Sequence, residues 1–329
     1  MTMLKQCQNR EEWDENVLDK SGHPLQLWGW GEVKSTHGWM VDRLMYLDED
    51  DNVLAMAQVL IRKLPWPLKS LAYAPRGPID NDGIRTEFLD ELSEYIKKNY
   101  HSVALSIEPD DEVYRAPFSW VKSKNRILPS DTVILDLEKS DDKLQADMSK
   151  KTRQYIRKST KDITSIKKIT KKEDLAKCLE IYHDTNKRAG FDVHDDDYYY
   201  DIFDKLGENN QVFAAYLDNQ PIAFLWLAIS AATSFELYGG MNEDGQKLRA
   251  NYALKRYAIS KCKEWGISRY DFGGLIDGGV ATFKMGWTDH ATKLAGTYDK
   301  PLSPLYFIWN NFFQSAKVVV RKVKKIIKK

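Results

Sequence analysis

Apolar and polar residues follow a pattern that occurs twice along the chain. Residues 45–59, MYLDEDDNVLAMAQV, and 215–227, AYLDNQPIAFLWL, each contain an apolar run ending in Tyr-Leu-Asp, a polar turn and a second apolar run. This arrangement predicts a β-hairpin in each half of the chain. A further strand is predicted at 70–78 and at 234–242, each with an aromatic residue before a glycine-containing turn.

Helical periodicity follows the third predicted strand in both halves. Each predicted helix leads to another strand, 102–109 in the first half and 268–274 in the second, and Gly266 is the predicted helix stop. The packed helix positions are predicted to be Phe88, Leu89, Leu92, Tyr95 and Ile96 in the first half and Leu254, Tyr257, Ala258, Lys261, Cys262 and Trp265 in the second.

A hairpin, a strand, a helix and another strand form the core of acyltransferase domains of the N-acetyltransferase (GNAT) type. The chain therefore predicts an α/β (α+β) fold of two tandem GNAT-like domains with mixed sheets, meeting in a cleft where a substrate binds. Two helices are predicted ahead of the second unit. One begins with a capping box at Thr170 and Glu173, and the other spans 192–206, with Asp195 to Asp197 in its first turn.

The size and composition of the chain fit a globular protein with two domains. It has 329 residues, of which 29% are charged and 43% hydrophobic. Its three cysteines are widely spaced and form no disulfide framework, which fits a reducing cytoplasm. We expect neither secretion nor a membrane span, because no apolar signal core or run of 18 apolar residues is found.

The net charge of +1 conceals two strongly basic segments. Residues 147–172 hold ten Lys or Arg and two acidic residues, and the last fifteen residues hold seven Lys or Arg and no acid. Such segments indicate polyanions or an anionic membrane surface as partners. Apolar residues of the tail from Ala316 to Ile327 share one helical face, which predicts an interfacial amphipathic helix. A tRNA-binding tail and a helix packed on the first domain remain alternatives.

Several common kinds of site are absent from the sequence. It has no HExxH or cysteine and histidine pattern with zinc spacing, and no GxSxG nucleophile turn. The glycine-rich segment 273–287, GGLIDGGVATFKMGW, has neither P-loop nor GxGxxG spacing. The turns after the third strand of each half are poor in glycine, so a coenzyme A pyrophosphate site is not evident.

Several segments together resemble the Fem family of aminoacyl-tRNA-dependent peptidoglycan bridge aminoacyltransferases. The resemblance covers most of 149–302 and, more loosely, the first half. The segments that carry it are SKKTRQYIRKSTK at 149–161, NKRAGF at 186–191, ELYGGMNEDG at 236–245, YALKRYAISKCKEWGISRYDFGG at 252–274, GVATFKMGW from 279, GTYDKPL ending at 302, WGWGEVK at 28–34 and LAYAPRGPI at 71–79. Longer family members insert a coiled-coil arm, and no heptad stretch is present here, so the chain resembles the compact type.

The resemblance implies two GNAT-like domains, 1–138 with 297–329 and 139–296. It implies that Gly, Ala or Ser passes from aminoacyl-tRNA to the stem-peptide lysine amine of lipid II or its UDP-linked precursor. The amine must be neutral, and the tetrahedral oxyanion needs a donor. We expect no cofactor or metal, a monomer in the cytoplasm, and possible contact of 316–329 with the inner face of the plasma membrane.

The resemblance also implies site residues. Phe283 and Lys284 match the family's Phe-Lys pair, with Lys284 as a positive donor near the oxyanion or the tRNA terminus; a surface lysine is the alternative. Glu108 matches an acidic position and is a candidate for proton removal. The predicted substrate-binding residues are Lys34, His194, Tyr198 and Tyr238, whose alternatives are a solvated loop lysine for Lys34 and a half-buried strand tyrosine for Tyr238. His194 replaces an arginine frequent in the compact type, so phosphate contact there would depend on pH.

The predicted tRNA patch interleaves basic residues with Tyr155, as phosphate-tracking surfaces do. A solvated helix face is its alternative. Two other functions remain open at this point: an acetyl-CoA-dependent N-acetyltransferase and a non-catalytic tRNA- or membrane-binding protein. The patch consists of Lys150, Lys151, Arg153, Arg157 and Lys158.

Overall fold

A computed structural model describes residues 2–80, 83, 85–190, 192–276 and 278–313. The predicted amphipathic tail, 316–329, lies outside the described residues. The strands are β1 Met3–Gln6, β2 Met40–Leu47, β3 Val53–Lys63, β4 Ser70–Ala74, β5 Ser102–Ile107, β6 Val121–Lys122, β7 Asp131–Thr132, β8 Ile134–Asp136, β9 Ser165–Lys168, β10 Asn210–Leu217, β11 Gln220–Ile229, β12 Thr233–Met241, β13 Arg269–Asp271, β14 Thr292–Lys293 and β15 Tyr298–Pro301. The helices are α1 Arg10–Asp19, α2 Trp28–Thr36, α3 Thr86–Tyr100, α4 Asp141–Asp147, α5 Lys150–Asp162, α6 Lys172–Ala189, α7 Asp196–Lys205, α8 Glu243–Leu248, α9 Ala250–Glu264, α10 Gly279–Met285 and α11 Tyr306–Ile308, the last followed by a π-helical turn, Trp309–Phe313.

Among the described residues, the first compact unit comprises 2–16, Lys34–Ser130 and 294–313. Its sheet has the order β1-β2-β3-β4-β5-β15-β6. The strands β2, β3 and β4 pair antiparallel, whereas β4 and β5 pair parallel. The helix α3 supplies the crossover that a parallel pair requires. Its apolar face is buried in the core of this unit, as the periodicity predicts.

The second compact unit comprises Val17–Val33 and Asp131–Lys293. Its six-stranded sheet has the order β8-β13-β12-β11-β10-β9, and β7 and β14 form a separate pair. The strands β10, β11 and β12 pair antiparallel, and β12 pairs parallel with β13 across α9. The same order of strands, helix and pairing therefore occurs in both units, which confirms the predicted repeat and the α/β fold class.

Each repeat ends with a strand that gains an antiparallel neighbour from a distant part of the chain. In the first unit β15 pairs with β5, and in the second β8 pairs with β13. The predicted domain boundaries, 1–138 with 297–329 and 139–296, stay a prediction about which segments fold together.

The structure changes the predicted starts of the two helices ahead of the second unit. The capping box at Thr170 is wrong: α6 begins at Lys172, and Lys171 before it makes no side-chain cap hydrogen bond. The reason is that Ile169 still donates a backbone hydrogen bond to Val212 of β10, over 2.8 Å, so the chain is extended up to that point. The helix α7 begins at Asp196, four residues after the predicted start at 192, and the Asp195 carboxylate caps it by accepting from a backbone N–H of its first turn.

Candidate functional site

Lys284 lies on α10, the helix that follows the glycine-rich turn. Its ammonium group donates hydrogen bonds to the carbonyl oxygens of Phe272 and Gly274, the latter over 2.7 Å. Burial lowers the pKa of Lys284, and the carboxylates of Glu236 and Asp271 oppose this effect. Two of its three N–H donors thus fix the side chain, and the third has no acceptor within the described part of the chain.

The turn between β13 and α10 presents these carbonyl groups because glycine allows it. Gly273 has a φ of +75°, and a Cβ there would lie 2.4 Å from the carbonyl oxygen of Glu236 on β12. Any larger residue would strain the backbone and push the turn away from β12. The Asp271 carboxylate accepts from the Gly273 N–H over 2.9 Å and from the Thr132 hydroxyl over 2.6 Å, which fixes the turn further.

A buried ion pair packs beneath α10. Lys255 of α9 is 4% exposed, and its Nζ bonds to Oε1 of Glu236 on β12. The Tyr270 hydroxyl donates to the same oxygen over 2.7 Å. The Lys255 ammonium also lies 4.2 Å from the centre of the Phe272 ring and 5.2 Å from that of Phe283. Burial lowers the pKa of Lys255 to about 8, against the opposing effect of the Glu236 carboxylate.

The sequence pattern does not reveal this pair, and it predicts the wrong lysine on the packed face of α9. Lys261 is only half-buried, and its ammonium pairs with the exposed Glu264 at 2.6 Å. Lys255 is the buried lysine. The available signal was a lysine directly after Leu254 within the apolar face, but only the partner on β12 explains its burial.

Aromatic rings connect α10 to the basic helix α5. The Tyr252 ring meets the Phe283 ring edge to face at 4.9 Å and the Tyr155 ring of α5 in the same way at 5.2 Å. Gly286, directly after α10, accepts a backbone hydrogen bond from Ser149 over 2.9 Å. Ser149 is the N-cap of α5, so the helix that carries Lys284 and the start of the basic helix are in contact.

The predicted tRNA patch occupies α5. Lys150, Lys151, Arg157 and Lys158 are exposed. Arg153 is half-buried and donates to the carbonyl oxygens of Gln145, over 3.0 Å, and Met148, over 2.5 Å. The guanidinium group of Arg249 lies 4.2 Å from the centre of the Tyr155 ring and adds a cation to the same surface. Arg153 is thus held by the backbone, and the other four side chains extend towards solvent.

Three predicted substrate-binding residues meet in a cluster of tyrosines on α6, α7 and β12. The His194 ring stacks on Tyr198 with centroids 3.9 Å apart, and the Tyr198 and Tyr238 hydroxyls are hydrogen-bonded. Tyr199 accepts from the His194 backbone N–H over 3.1 Å, and its ring packs against Tyr182 and Tyr238. Burial raises the pKa of Tyr198 to about 12, so its hydroxyl stays protonated at neutral pH.

A register shift in β12 separates this tyrosine cluster from the buried ion pair. Trp226 of β11 is opposite Tyr238, whereas Leu227 is opposite Glu236. The Trp226 ring packs against Tyr199, but Leu227 belongs to the core beneath α9. Tyr238 and Glu236 therefore point to opposite faces of the sheet, although two residues of a regular strand at this spacing share a face.

Lys34 belongs to the first unit and lies in the last turn of α2, not in a loop. Burial, with a smaller contribution from the Arg62 guanidinium, lowers the pKa of Lys34 to about 8. Its ammonium is thus still mainly charged at pH 7 but loses its charge at a much lower pH than an ordinary lysine does.

Glu108 is a buried carboxylate of the first unit, at the end of β5. It accepts hydrogen bonds from the Tyr73 hydroxyl, from the Leu128 N–H over 3.1 Å and from the Thr297 hydroxyl over 2.6 Å. Three donors on one carboxylate hold it in one place. This environment suits a positioning role better than a proton acceptor, and the predicted role in proton removal stays a prediction.

The described ranges contain neither a metal-binding cluster nor a helix that could span a membrane. No group of three His, Cys, Asp or Glu side chains is placed there to hold a metal ion. Within the same ranges, no helix combines the length and the apolar character needed to cross a membrane.

Comparisons with known proteins match one family over almost the whole chain. The model of the FemAB family matches residues 9–119, 119–223 and 218–315. The lipid II:glycine glycyltransferase of Staphylococcus saprophyticus is 24% identical over 397 residues, covering 92% of this chain and 95% of the relative. That alignment is longer than the 329 residues of this chain, so the relative contains residues without a counterpart here. In this chain only two residues separate α5 from β9, which fits the compact type.

Solved structures show the same fold. The crystal structure of FemX superposes with a TM-score of 0.80 at 20% identity, covering 94% of this chain and 100% of that chain. A tandem GNAT protein from the clavulanic acid biosynthesis pathway superposes with a TM-score of 0.52 at 10% identity, covering 92% and 99%. These structures confirm the predicted tandem GNAT-like fold.

Proposed function

The chain belongs to the FemAB family, and we propose that it transfers an amino acid from aminoacyl-tRNA to a peptidoglycan precursor. The amino acid is Gly, Ala or Ser. The acceptor is the side-chain amine of the stem-peptide lysine, in lipid II or in its UDP-linked precursor. The product is the first part, or an extension, of the peptidoglycan cross-bridge.

The contact between α10 and α5 is the observation that carries this proposal. It connects α10, which carries Lys284 with its third N–H available to a ligand, to the start of α5, where Lys150 and Lys151 are exposed. A tRNA acceptor stem carries its phosphates up to the terminal nucleotide, to which the amino acid is esterified. A basic helix that binds these phosphates would bring the ester close to the lysine.

The reaction forms one amide bond and breaks one ester bond. The neutral lysine amine of the acceptor attacks the carbonyl carbon of the aminoacyl ester. The carbonyl oxygen of the ester then becomes an oxyanion. We assign Lys284 to donate its third N–H to that oxyanion. When the intermediate collapses, the 3′-oxygen of the tRNA leaves and takes up the proton that the attacking nitrogen loses. Phe283 fixes the orientation of α10 through its ring contacts with Tyr252.

We assign the Lys255 and Glu236 pair to position Lys284. The Lys255 ammonium packs against the rings of Phe272 and Phe283, the residues that hold and precede Lys284. The Glu236 carboxylate also favours the charged form of Lys284. Loss of either partner would disturb the turn that carries the two acceptor carbonyls.

The acceptor is assigned to the remaining predicted residues. Lys34 is a point charge suited to a phosphate. The exposed His194 ring and the half-buried Tyr238 offer an aromatic surface for the peptide or sugar. Tyr198 is buried, and we assign it to hold both through its stacking on His194 and its hydrogen bond to the Tyr238 hydroxyl. Glu108 is assigned to hold the first unit's strand ends, because its carboxylate is already bonded by three donors.

An acetyl-CoA-dependent reaction receives no support from the segment after β12. The helix α8 begins there with Glu243 and Asp244, whose charges repel a pyrophosphate. Gly245 fills a packing role, since a Cβ there would lie 2.2 Å from the carbonyl oxygen of Ile222. We therefore propose a reaction without coenzyme A, another cofactor or a metal.

The proposed partners place the protein, as a monomer, at the cytoplasmic face of the plasma membrane. Charged tRNA and lipid-linked precursor meet there, and the basic sequence 316–329 would be attracted to anionic lipids.

The decisive experiment offers a panel of charged tRNAs with two acceptors. Glycyl-, alanyl- and seryl-tRNA are each incubated with the protein and with lipid II or the UDP-linked pentapeptide, and the product is examined by mass spectrometry. We expect one pairing to extend the lysine branch by one residue. Absence of transfer from all three tRNAs to both acceptors, with the acceptors verified using a related glycyltransferase, would refute the proposal.

A further inference from the structure

The tip of the β3–β4 hairpin exposes a tryptophan. The sequence Leu64-Pro-Trp-Pro-Leu68 forms a tight turn in which Leu64 donates to the Lys69 carbonyl over 2.8 Å and Leu68 donates to Pro65 over 3.0 Å. The Trp66 side chain is 92% exposed, although tryptophan is usually well covered. Lys63 and Lys69 flank the tip and are also exposed.

Two further apolar side chains, Phe307 and Ile308, are exposed at the same end of the first unit. Leu68, next to the tip, lies in one buried cluster with Tyr306 and Trp309, which belong to α11 and the π-helical turn after it. On the other side of α11, Phe307 is 68% and Ile308 54% exposed. The hairpin tip and α11 thus present three large apolar side chains that the first unit does not cover.

A groove beside these residues is basic. Its volume is about 270 Å³, and its lining includes Lys69, Lys97, His101, Ser102 and Ser303. No acidic residue lines it within the described ranges, although Glu94 lies 3.4 Å from the Lys97 ammonium at its rim. The groove can therefore accept an anion, and it lies between the hairpin tip and the segment leading into α11.

The charge of the following sequence points to the same kind of partner. The described chain ends at Phe313, the last residue of the π-helical turn that follows α11. The last fifteen residues of the sequence carry seven Lys or Arg, no acid, and valines and isoleucines between them. This sequence continues from the end of the unit that carries Trp66 and the basic groove.

We propose that Trp66, Phe307 and Ile308, with the groove of Lys69, Lys97 and His101, form a docking surface for an anionic bilayer. The aromatic and apolar side chains enter the interfacial region, where tryptophan is favoured, and a lipid phosphate occupies the groove. A protein partner or a second copy of this chain fits less well. The exposed apolar side chains lie beside a groove that is lined by cationic residues and, among the described residues, by no acidic residue. This inference adds a structured surface to the membrane attraction proposed for the tail and does not depend on transfer activity.

The test is co-sedimentation of the full chain with vesicles. Vesicles of phosphatidylcholine alone and with about a third of phosphatidylglycerol are compared for the wild type, Trp66→Ser with Phe307→Ser, and Lys69→Glu. We expect the wild type to bind the anionic vesicles, and both variants to lose about tenfold or more in affinity. All three side chains are exposed, so the fold does not depend on them.

Matched controls come from the other end of the same sheet. Met3 and Lys5 lie on β1, whose register places them opposite Leu47 and Met45 and so near the β2–β3 turn, away from the β3–β4 tip. Met3→Ser and Lys5→Glu should bind vesicles like the wild type.

Four outcomes would overturn the proposal. The first is equal vesicle binding by the wild type and both docking variants. The second is equal loss of binding in the control variants. The third is a wild-type dimer in size-exclusion chromatography that Trp66→Ser converts to a monomer, which would assign this surface to a second copy. The fourth is binding of millimolar inorganic phosphate by a wild type that does not bind vesicles, which would show a soluble anion as the ligand.

Discussion

Lys284 and Lys255 show how neighbouring lysines of the second unit acquire different environments. Lys284 is held by two backbone carbonyl groups, and Lys255 by the Glu236 carboxylate and two aromatic rings. The sequence pointed to Lys284 through its place in a family pattern. Lys255 could not be identified in that way, because its burial depends on a partner on β12 that is distant in sequence.

The buried pair should be sensitive to the loss of one partner. Lys255→Met leaves the Glu236 carboxylate buried without its cation, and we expect a loss of about 3–5 kcal/mol in the free energy of unfolding. Combining Lys255→Met with Glu236→Leu removes both charges and should recover much of this loss. Urea unfolding of the two single variants and the double variant measures the coupling, with Lys261→Met as the control. Additive losses in the double variant would contradict the described pair.

Lys34 should make acceptor binding depend on pH in a range where ordinary lysines do not titrate. Its pKa is lowered to about 8, so its ammonium is charged below this pH and neutral above it. If Lys34 binds an acceptor phosphate, the Kd of the UDP-linked precursor should rise about tenfold between pH 7 and pH 9. Calorimetry across this range measures the change. Lys34→Arg should bind with little dependence on pH, and an equal rise in that variant would contradict the assignment.

At the scale of elements, local patterns predicted strands and helices well where burial alone determines them. The helix α3 buries Phe88, Leu89, Leu92 and Ile96, as its apolar spacing predicts. In the segment WGWGEVK, local preference and structure disagree. Its two glycines disfavour a helix, yet the segment forms the start of α2. A Cβ at Gly29 would lie 2.2 Å from the carbonyl oxygen of Lys205, so tertiary packing explains this glycine.

The bulge in β12 is a second feature that the sequence did not reveal. The alternation of side chains along a strand predicts Glu236 and Tyr238 on one face, and the register shift places them on opposite faces. The tyrosine cluster and the Lys255 pair are therefore separate groups, although both depend on one strand.

The helix α5 should determine tRNA affinity if it binds phosphates. Arg157→Glu with Lys158→Glu removes two exposed cations, and we expect tRNA affinity to fall about tenfold or more at low salt. The slope of log affinity against log salt should decrease by about 2. Filter binding with a salt titration measures both quantities. Lys177→Glu with Lys187→Glu on α6 is the matched control, and an equal effect there would indicate a general charge effect.

At the scale of the molecule, the predicted repeat is the sequence feature with the greatest consequence. It predicted two GNAT-like units, and the pairing of strands in both units confirms them. The prediction of an acyltransferase is confirmed as well, since the chain belongs to the FemAB family and its relatives are glycyltransferases. The pairing of β15 with β5 and of β8 with β13 could not be predicted from the sequence, because short strands that pair over long distances carry little periodicity of their own.

Single-turnover transfer by Lys284→Ala measures whether Lys284 stabilises the oxyanion. Labelled aminoacyl-tRNA is mixed with excess enzyme and lipid II, and the rate of amide formation is measured for the wild type and the variant. We expect the rate to fall about 10²–10³-fold, the loss found when one oxyanion donor is removed, with tRNA affinity retained. Lys247→Ala, an exposed lysine of α8, should transfer at the wild-type rate. A rate for Lys284→Ala close to that of the wild type would contradict the account.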